Sequence, residues 1–172
     1  MMNDRPQKIL LIGYGNPGRL DDGLGPALAA AVESRRPAGV TVDTDYQLTV
    51  EDAAVVAKHD VVIFADAATS GPEPFSFARI EPELSASFST HSVLPPAVLG
   101  LAKELFGKDV PGYCLGIRGY EFNEYREELS EPARANLSAA IEFVTSVLDT
   151  RDFEKVAAEH QPAGEMTNPE TP

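Results

Sequence analysis

Three side chains far apart in the chain have the chemistry to hold one divalent metal ion: Asp22, Asp66 and His91. Imidazole suits zinc, nickel or iron, and two carboxylates complete a borderline-hard ligand set. Three protein ligands leave positions open for a substrate or a water, as working metal sites do. Each residue also has a plainer use. Asp22 stands at the start of a helical pattern, where an acid caps free amides. Asp66 ends an apolar run, and Asp readily bonds nearby backbone amides. His91, taken singly, is a helix-start or surface histidine. The metal reading depends on the fold bringing the three together. His59, ahead of a strand, and His160, in the tail, are weaker candidates, and Cys114 lies mid-strand and reads as a core thiol rather than a nucleophile.

A second chemistry is written in the same stretch. Gly13, Gly15 and Gly18 spell G-x-G-x-x-G after an apolar run, the dinucleotide fingerprint. In that fingerprint the helix starts inside the motif and its amides hold a pyrophosphate. Here Pro17 and Pro26 delay the helix, whose stripe runs Leu24, Leu28, Ala31, Val32. Pro26 fits only a first turn, so the helix starts near Asp22. Asp21 and Asp22 then occupy the place of a phosphate and repel one. Asp43 or Asp45 is available as a ribose acid, so a nucleotide-binding module stands as a rival reading.

The elements that must position these residues follow from periodicity. Residues 8–12 form a nearly continuous apolar run, as in a central strand with helices on both faces. Val40–Thr44 is a second strand, and Thr49 with Asp52 resembles a capping box for a helix reaching about Lys58. Asp60–Asp66 is a third strand. Phe75–Ile80 roughly alternates and is expected at a half-exposed edge, antiparallel to its neighbour. Pro95 and Pro96 open a helix with the stripe Val98, Leu101, Ala102, Leu105, and Gly107 ends it. Gly112–Ile117 is the last strand, and Ser130 caps a long closing helix with Pro132 in its first turn. The pattern fades near Asp152, so residues 1–150 are expected to form one domain and 151–172 a disordered tail. The sum is an α/β fold, a three-layer α/β/α sandwich with a mainly parallel sheet of about five strands and one antiparallel edge strand. Ligands of such sheets bind beyond the carboxyl ends of the strands. If the first and third strands are neighbours, Asp22 and Asp66 share that rim.

Composition narrows the partners. The 172 residues carry 27 acids against 14 bases, a net charge of −13. That argues against nucleic acid, which wants a basic face, and suits a partner with cationic features. The single cysteine allows no internal disulfide and fits a reducing cytoplasm. No secretory signal opens the chain and no apolar stretch approaches transmembrane length, so no membrane role is expected.

The motifs together carry a resemblance. Gly13-Tyr14-Gly15-Asn16, then Asp21-Asp22-Gly23-Leu24-Gly25, Phe64-Ala65-Asp66-Ala67 and Ser89-Thr90-His91 resemble the hydrogenase maturation protease family over about residues 8–148. The resemblance implies an endopeptidase that removes the C-terminal extension of a nickel–iron hydrogenase large-subunit precursor after nickel insertion. It implies no organic cofactor and a nickel that is transient and borne by the substrate. It places the metal-recognising and catalytic roles on Asp22, Asp66 and His91. The metal would serve recognition and polarise the scissile carbonyl, or a carboxylate would activate the attacking water. Many relatives have Asp-Glu where this chain has Asp21-Asp22, which leaves Asp21 able to share the role. Two loops depart from the family. Asp45-Tyr46-Gln47-Leu48-Thr49 lacks a Gly-rich segment, and Arg118-Gly119-Tyr120-Glu121-Phe122 replaces a Glu-Pro-type stretch, so the choice of hydrogenase stays open. The opening G-x-G-N-P-G also resembles peptidyl-tRNA hydrolase. That family's following Thr-Arg-His-Asn-type segment is replaced here by Arg19-Leu20-Asp21-Asp22, and −13 suits tRNA badly. A nickel carrier that binds the precursor and cuts nothing is the non-enzymatic rival.

Overall fold

Strand β1 (Ile9–Tyr14) is an interior strand of a five-stranded sheet, fully buried along its first five residues. A computed structural model describes residues 5–84 and 93–160. After β1 a single 3-10 turn, Leu20–Gly23, leads into α1 (Leu24–Arg35). Then come β2 (Val40–Asp45), α2 (Asp52–Val56), β3 (Val61–Ala68), β4 (Phe75–Ile80), α3 (Pro95–Phe106), β5 (Gly112–Arg118), α4 (Glu131–Thr150) and α5 (Phe153–His160). The sheet order is β2-β1-β3-β5-β4, with every pair parallel except β4 against β5. The expected three-layer sandwich and its antiparallel edge strand are thus present.

The unbroken apolar run of β1 has a direct cause. Ile9 and Leu11 pack with α1, α4 and α5, while Leu10 and Ile12 pack with α2 and α3. The same alternation sends Ile63 and Ala65 of β3 one way and Val62 and Phe64 the other. A strand covered on both faces buries every side chain, so no polar alternation survives.

Two expectations are corrected. Strand β3 does not stop at Asp66, because Asp66, Ala67 and Ala68 still pair with Gly116, Ile117 and Arg118. The segment from 151 is not a tail throughout. Phe153–His160 is helix α5, with Phe153 and Ala157 buried in the core of the α1/α4 face. Its apolar stripe is only Phe153, Val156 and Ala157, too short to stand out in the sequence. It is held by packing of Phe153 on Tyr113, by the Tyr113 hydroxyl donating to Glu154 at 2.8 Å, and by the Arg79–Glu154 ion pair. Residues 161–172 lie outside the described residues.

Helix α1 sits unusually close to the sheet. A Cβ on Gly25 would collide with the carbonyl oxygen of Tyr14 and stand 2.6 Å from that of Ala65. Only glycine lets the first turn of α1 rest on the carboxyl ends of β1 and β3, and this contact fixes where the preceding turn points. Gly25→Ala is therefore expected to cost about 2–4 kcal/mol, since backbone cannot yield as a side chain does. Urea unfolding measures it, and an unchanged midpoint would show that the seating is not tight.

Candidate functional site

The register pairs Gly13 with Ala65, so Tyr14 and Asp66 leave neighbouring parallel strands side by side on the α2/α3 face. The Tyr14 hydroxyl hydrogen-bonds the Asp66 carboxyl, and the Ala67 amide donates to its Oδ1 at 2.8 Å. Burial pushes the Asp66 carboxyl up to about 6. The nearby Asp22 charge adds to that, while the Ala67 amide and the Tyr14 hydroxyl work against it. Burial first, then the Asp66 charge, likewise raises the Tyr14 hydroxyl. Tyr14 is the site residue that motif reading passed over. The signal was available: Leu10, Ile12 and Tyr14 share a face of β1 once the strand is drawn.

Asp22 reaches the same rim from the turn ahead of α1. Its Oδ2 accepts the Asn16 amide at 2.9 Å, and it caps no helix, because α1 has no side-chain cap. The Gly-x-Gly-Asn turn is wrapped around this aspartate. Gly15 has φ 140, and a Cβ there would strike the Asp22 carbonyl. Asn16 Oδ1 in turn accepts the Gly18 amide at 2.9 Å.

The same bonds bear on nucleotide binding. The Gly15 amide donates to Asp45 O, Asn16 to Asp22, Gly18 to Asn16 Oδ1 and Arg19 to Asn16 O. Position 17 is proline and offers no donor. The loop that would cradle a pyrophosphate has its amides committed to the protein itself.

Asp21 turns away from the rim. It is fully buried and accepts four hydrogen bonds: Tyr120 N at 2.8 Å, Glu121 N at 3.0 Å, and Ser130 N and Oγ at 2.7 Å each. Burial opposes its charge, but the Ser130, Glu121 and Tyr120 amides with the Ser130 hydroxyl outweigh it, and the carboxyl is held below its ordinary value. Asp21 is a clasp for the 119–130 loop and does not share the place of Asp22. Ser130, as expected, also caps α4 through Ala133 N.

Of the three proposed ligands, Asp66 lies near the carboxyl end of β3 and Asp22 lies in the turn ahead of α1, near enough for its charge to act on Asp66. His91, with Ser89 and Thr90, lies outside the described residues. Among the described residues no group of three His, Cys, Asp or Glu stands ready for a metal. His59 turns its Nδ1 to Val55 O at 2.8 Å, and His160 stacks on Phe75 at the opposite edge of the sheet. The Cys114 thiol is pushed up to about 12 by burial and by Asp66, which suits a core thiol. Beside the Asp22 loop a cavity of about 300 Å³ opens between the ends of β1 and β2, lined by Gly15, Pro17, Pro26, Thr44, Asp45 and Tyr46. No helix among the described residues is long and apolar enough to cross a membrane.

Neither a protein-family model nor a curated sequence matches the chain. Solved structures do. HycI, a NiFe hydrogenase maturation protease from Thermococcus kodakarensis KOD1, is 24% identical, with 83% of this chain and 93% of that one covered and a TM-score of 0.63. The hydrogenase maturating endopeptidase HybD from Escherichia coli is 22% identical over 84% and 94%, with a TM-score of 0.60. A hydrogenase 2 maturation peptidase from a Thaumarchaeota archaeon is 24% identical over 83% and 99%, with a TM-score of 0.60. The fold is that of the hydrogenase maturation proteases. At these identities the likeness establishes architecture alone.

In this maturation-protease fold the two adjacent acids separate by stability. Asp21→Ala strands buried donors and is expected to cost about 3–5 kcal/mol in urea unfolding. Asp66 has the opposite sign. Its folded value exceeds the ordinary 3.8, so its contribution is greatest below about pH 4 and is lost as pH rises through about 6. Asp66→Asn should therefore raise the thermal midpoint by several degrees above about pH 6 and lose that advantage near pH 4. An advantage that does not change with pH would contradict the assignment.

Proposed function

We propose that this chain is a hydrogenase maturation endopeptidase. It removes the C-terminal extension of a nickel–iron hydrogenase large-subunit precursor after nickel insertion, and recognises the nickel the substrate carries. The observation that supports the reading is the buried Asp66 carboxyl near the end of β3 under the influence of the Asp22 charge, within the fold shared with HycI and HybD.

The donor chemistry fits a docking cation. Among the described residues Asp22 Oδ1 takes no hydrogen bond, and the Asn16 amide fixes Oδ2. Asp66 is held by Ala67 and Tyr14, so its remaining acceptor capacity is oriented rather than swinging. The Asp22 charge raises the proton affinity of Asp66, and a divalent cation docking beside the two carboxylates would relieve that repulsion. His91 supplies the third ligand of the proposal. The ion is cargo of the precursor, so the free enzyme has no need to retain it. With the substrate docked, the ion polarises the scissile carbonyl. A carboxylate of the pair takes the proton of the attacking water and returns it to the departing amide nitrogen. Asp66 suits that exchange, because its carboxyl sits closer to neutral pH than an ordinary aspartate. The protein is proposed to work in the cytoplasm, with no organic cofactor.

The test is incubation of the full chain with nickel-loaded precursor and mass spectrometry of the precursor's C-terminus. Loss of the extension is expected with wild type, and at least 100-fold slower processing with Asp66→Ala or His91→Ala at unchanged circular dichroism. Uncut precursor with wild type identifies a carrier, and intact processing by both variants rejects the site.

A further inference from the structure

Strand β2 is an edge of the sheet, and its outer side carries unused main-chain groups. The Gly39 and Asp45 carbonyls accept from Ile9 and Gly15, so residues 39, 41, 43 and 45 direct their amides and carbonyls toward β1. By the alternation of a strand, Val42 and Thr44 direct theirs outward, and no described residue pairs with them. Such a row is a template for another strand. It ends at the cavity lined by Thr44, Asp45, Tyr46 and Gly15, against the loop that holds Asp22.

Charge selects what pairs there. Asp43 and Asp45 are exposed. They lie near Asp52, whose carboxyl is raised by burial, opposed by the Thr49 amide, and raised further by the Asp45, Asp43 and Glu51 charges. A second copy of this chain would set Asp43 and Asp45 against their own kind, with −13 on each molecule. A strand bearing cations would meet complementary charge.

We propose that the β2 edge docks an extended cationic peptide segment, which pairs with Val42 and Thr44 and lays basic side chains over Asp43 and Asp45. This rests on the endopeptidase reading and deepens it: the segment is the part of the precursor leading to the scissile bond. Strand addition supplies affinity through main-chain bonds and delivers the segment, already extended, to the Asp22–Asp66 rim.

The probe is a fluorescein-labelled peptide of alternating Lys and Val, with hydrogen exchange of the full chain read residue by residue. Binding is expected to slow exchange at Val42 and Thr44 and to weaken with salt. Asp43→Lys should weaken it about tenfold, and methylating alternate peptide amides should do the same. Val42→Pro is a second block. Should it fail to fold, the methylated peptide still decides. Equal binding of the methylated peptide, protection elsewhere, or no effect of Asp43→Lys overturns the proposal. So does protection at Val42 that grows with protein concentration without peptide, which assigns the edge to a second copy. Asp66→Ala should still bind the peptide. Peptide binding with no cleavage of precursor by wild type removes the endopeptidase reading and leaves the edge. An unchanged KM for precursor in Asp43→Lys removes the edge and leaves the endopeptidase.

Discussion

Backbone lying on backbone, where Gly25 of α1 meets the carbonyls of Tyr14 and Ala65, sets the geometry of everything at the rim. A helix held off the sheet by side chains would tilt and slide with their packing. This one has no such freedom, and the 3-10 turn ahead of it is fixed as a result. Consecutive residues of that turn stand about 120° apart around its axis. Asp21 and Asp22, identical in chemistry and adjacent in sequence, are therefore sent to different sides of the same turn.

The surroundings of Asp21 and Asp66 then make them different acids. Asp21 enters a closed pocket of donors, where four hydrogen bonds satisfy the carboxylate and hold the charge in place. Asp66 sits beside another carboxylate with fewer donors, and burial keeps its proton affinity high. A buried charge with its donors complete is a structural fastener. One left short of donors, next to a like charge, is poised for a proton or a cation. The fold contains both, Asp21 in the turn ahead of α1 and Asp66 near the end of β3, and the fastener holds the 119–130 loop that flanks the rim.

Much of this was legible in the sequence. The order of elements, the antiparallel Phe75–Ile80 edge, the Ser130 cap and the late start of α1 all follow from periodicity, proline positions and capping residues, which are local signals. Helix α5 was not legible, because its stripe is short and its stability comes from Tyr113, Arg79 and β4, distant in the chain. Tyr14 was in plain view within the glycine motif, but its partner Asp66 lies 52 residues on and becomes a neighbour only through the β1–β3 register.

By itself the sequence determined that a strand ends in a glycine turn carrying two acids, and that a second strand ends near a third acid. Tertiary structure decided which acid serves which purpose. Side-chain type sets what a carboxylate is able to do, but its proton affinity depends on the donors, charges and water around it. Those neighbours come from β1, β3 and the 119–130 loop, and no local pattern names them.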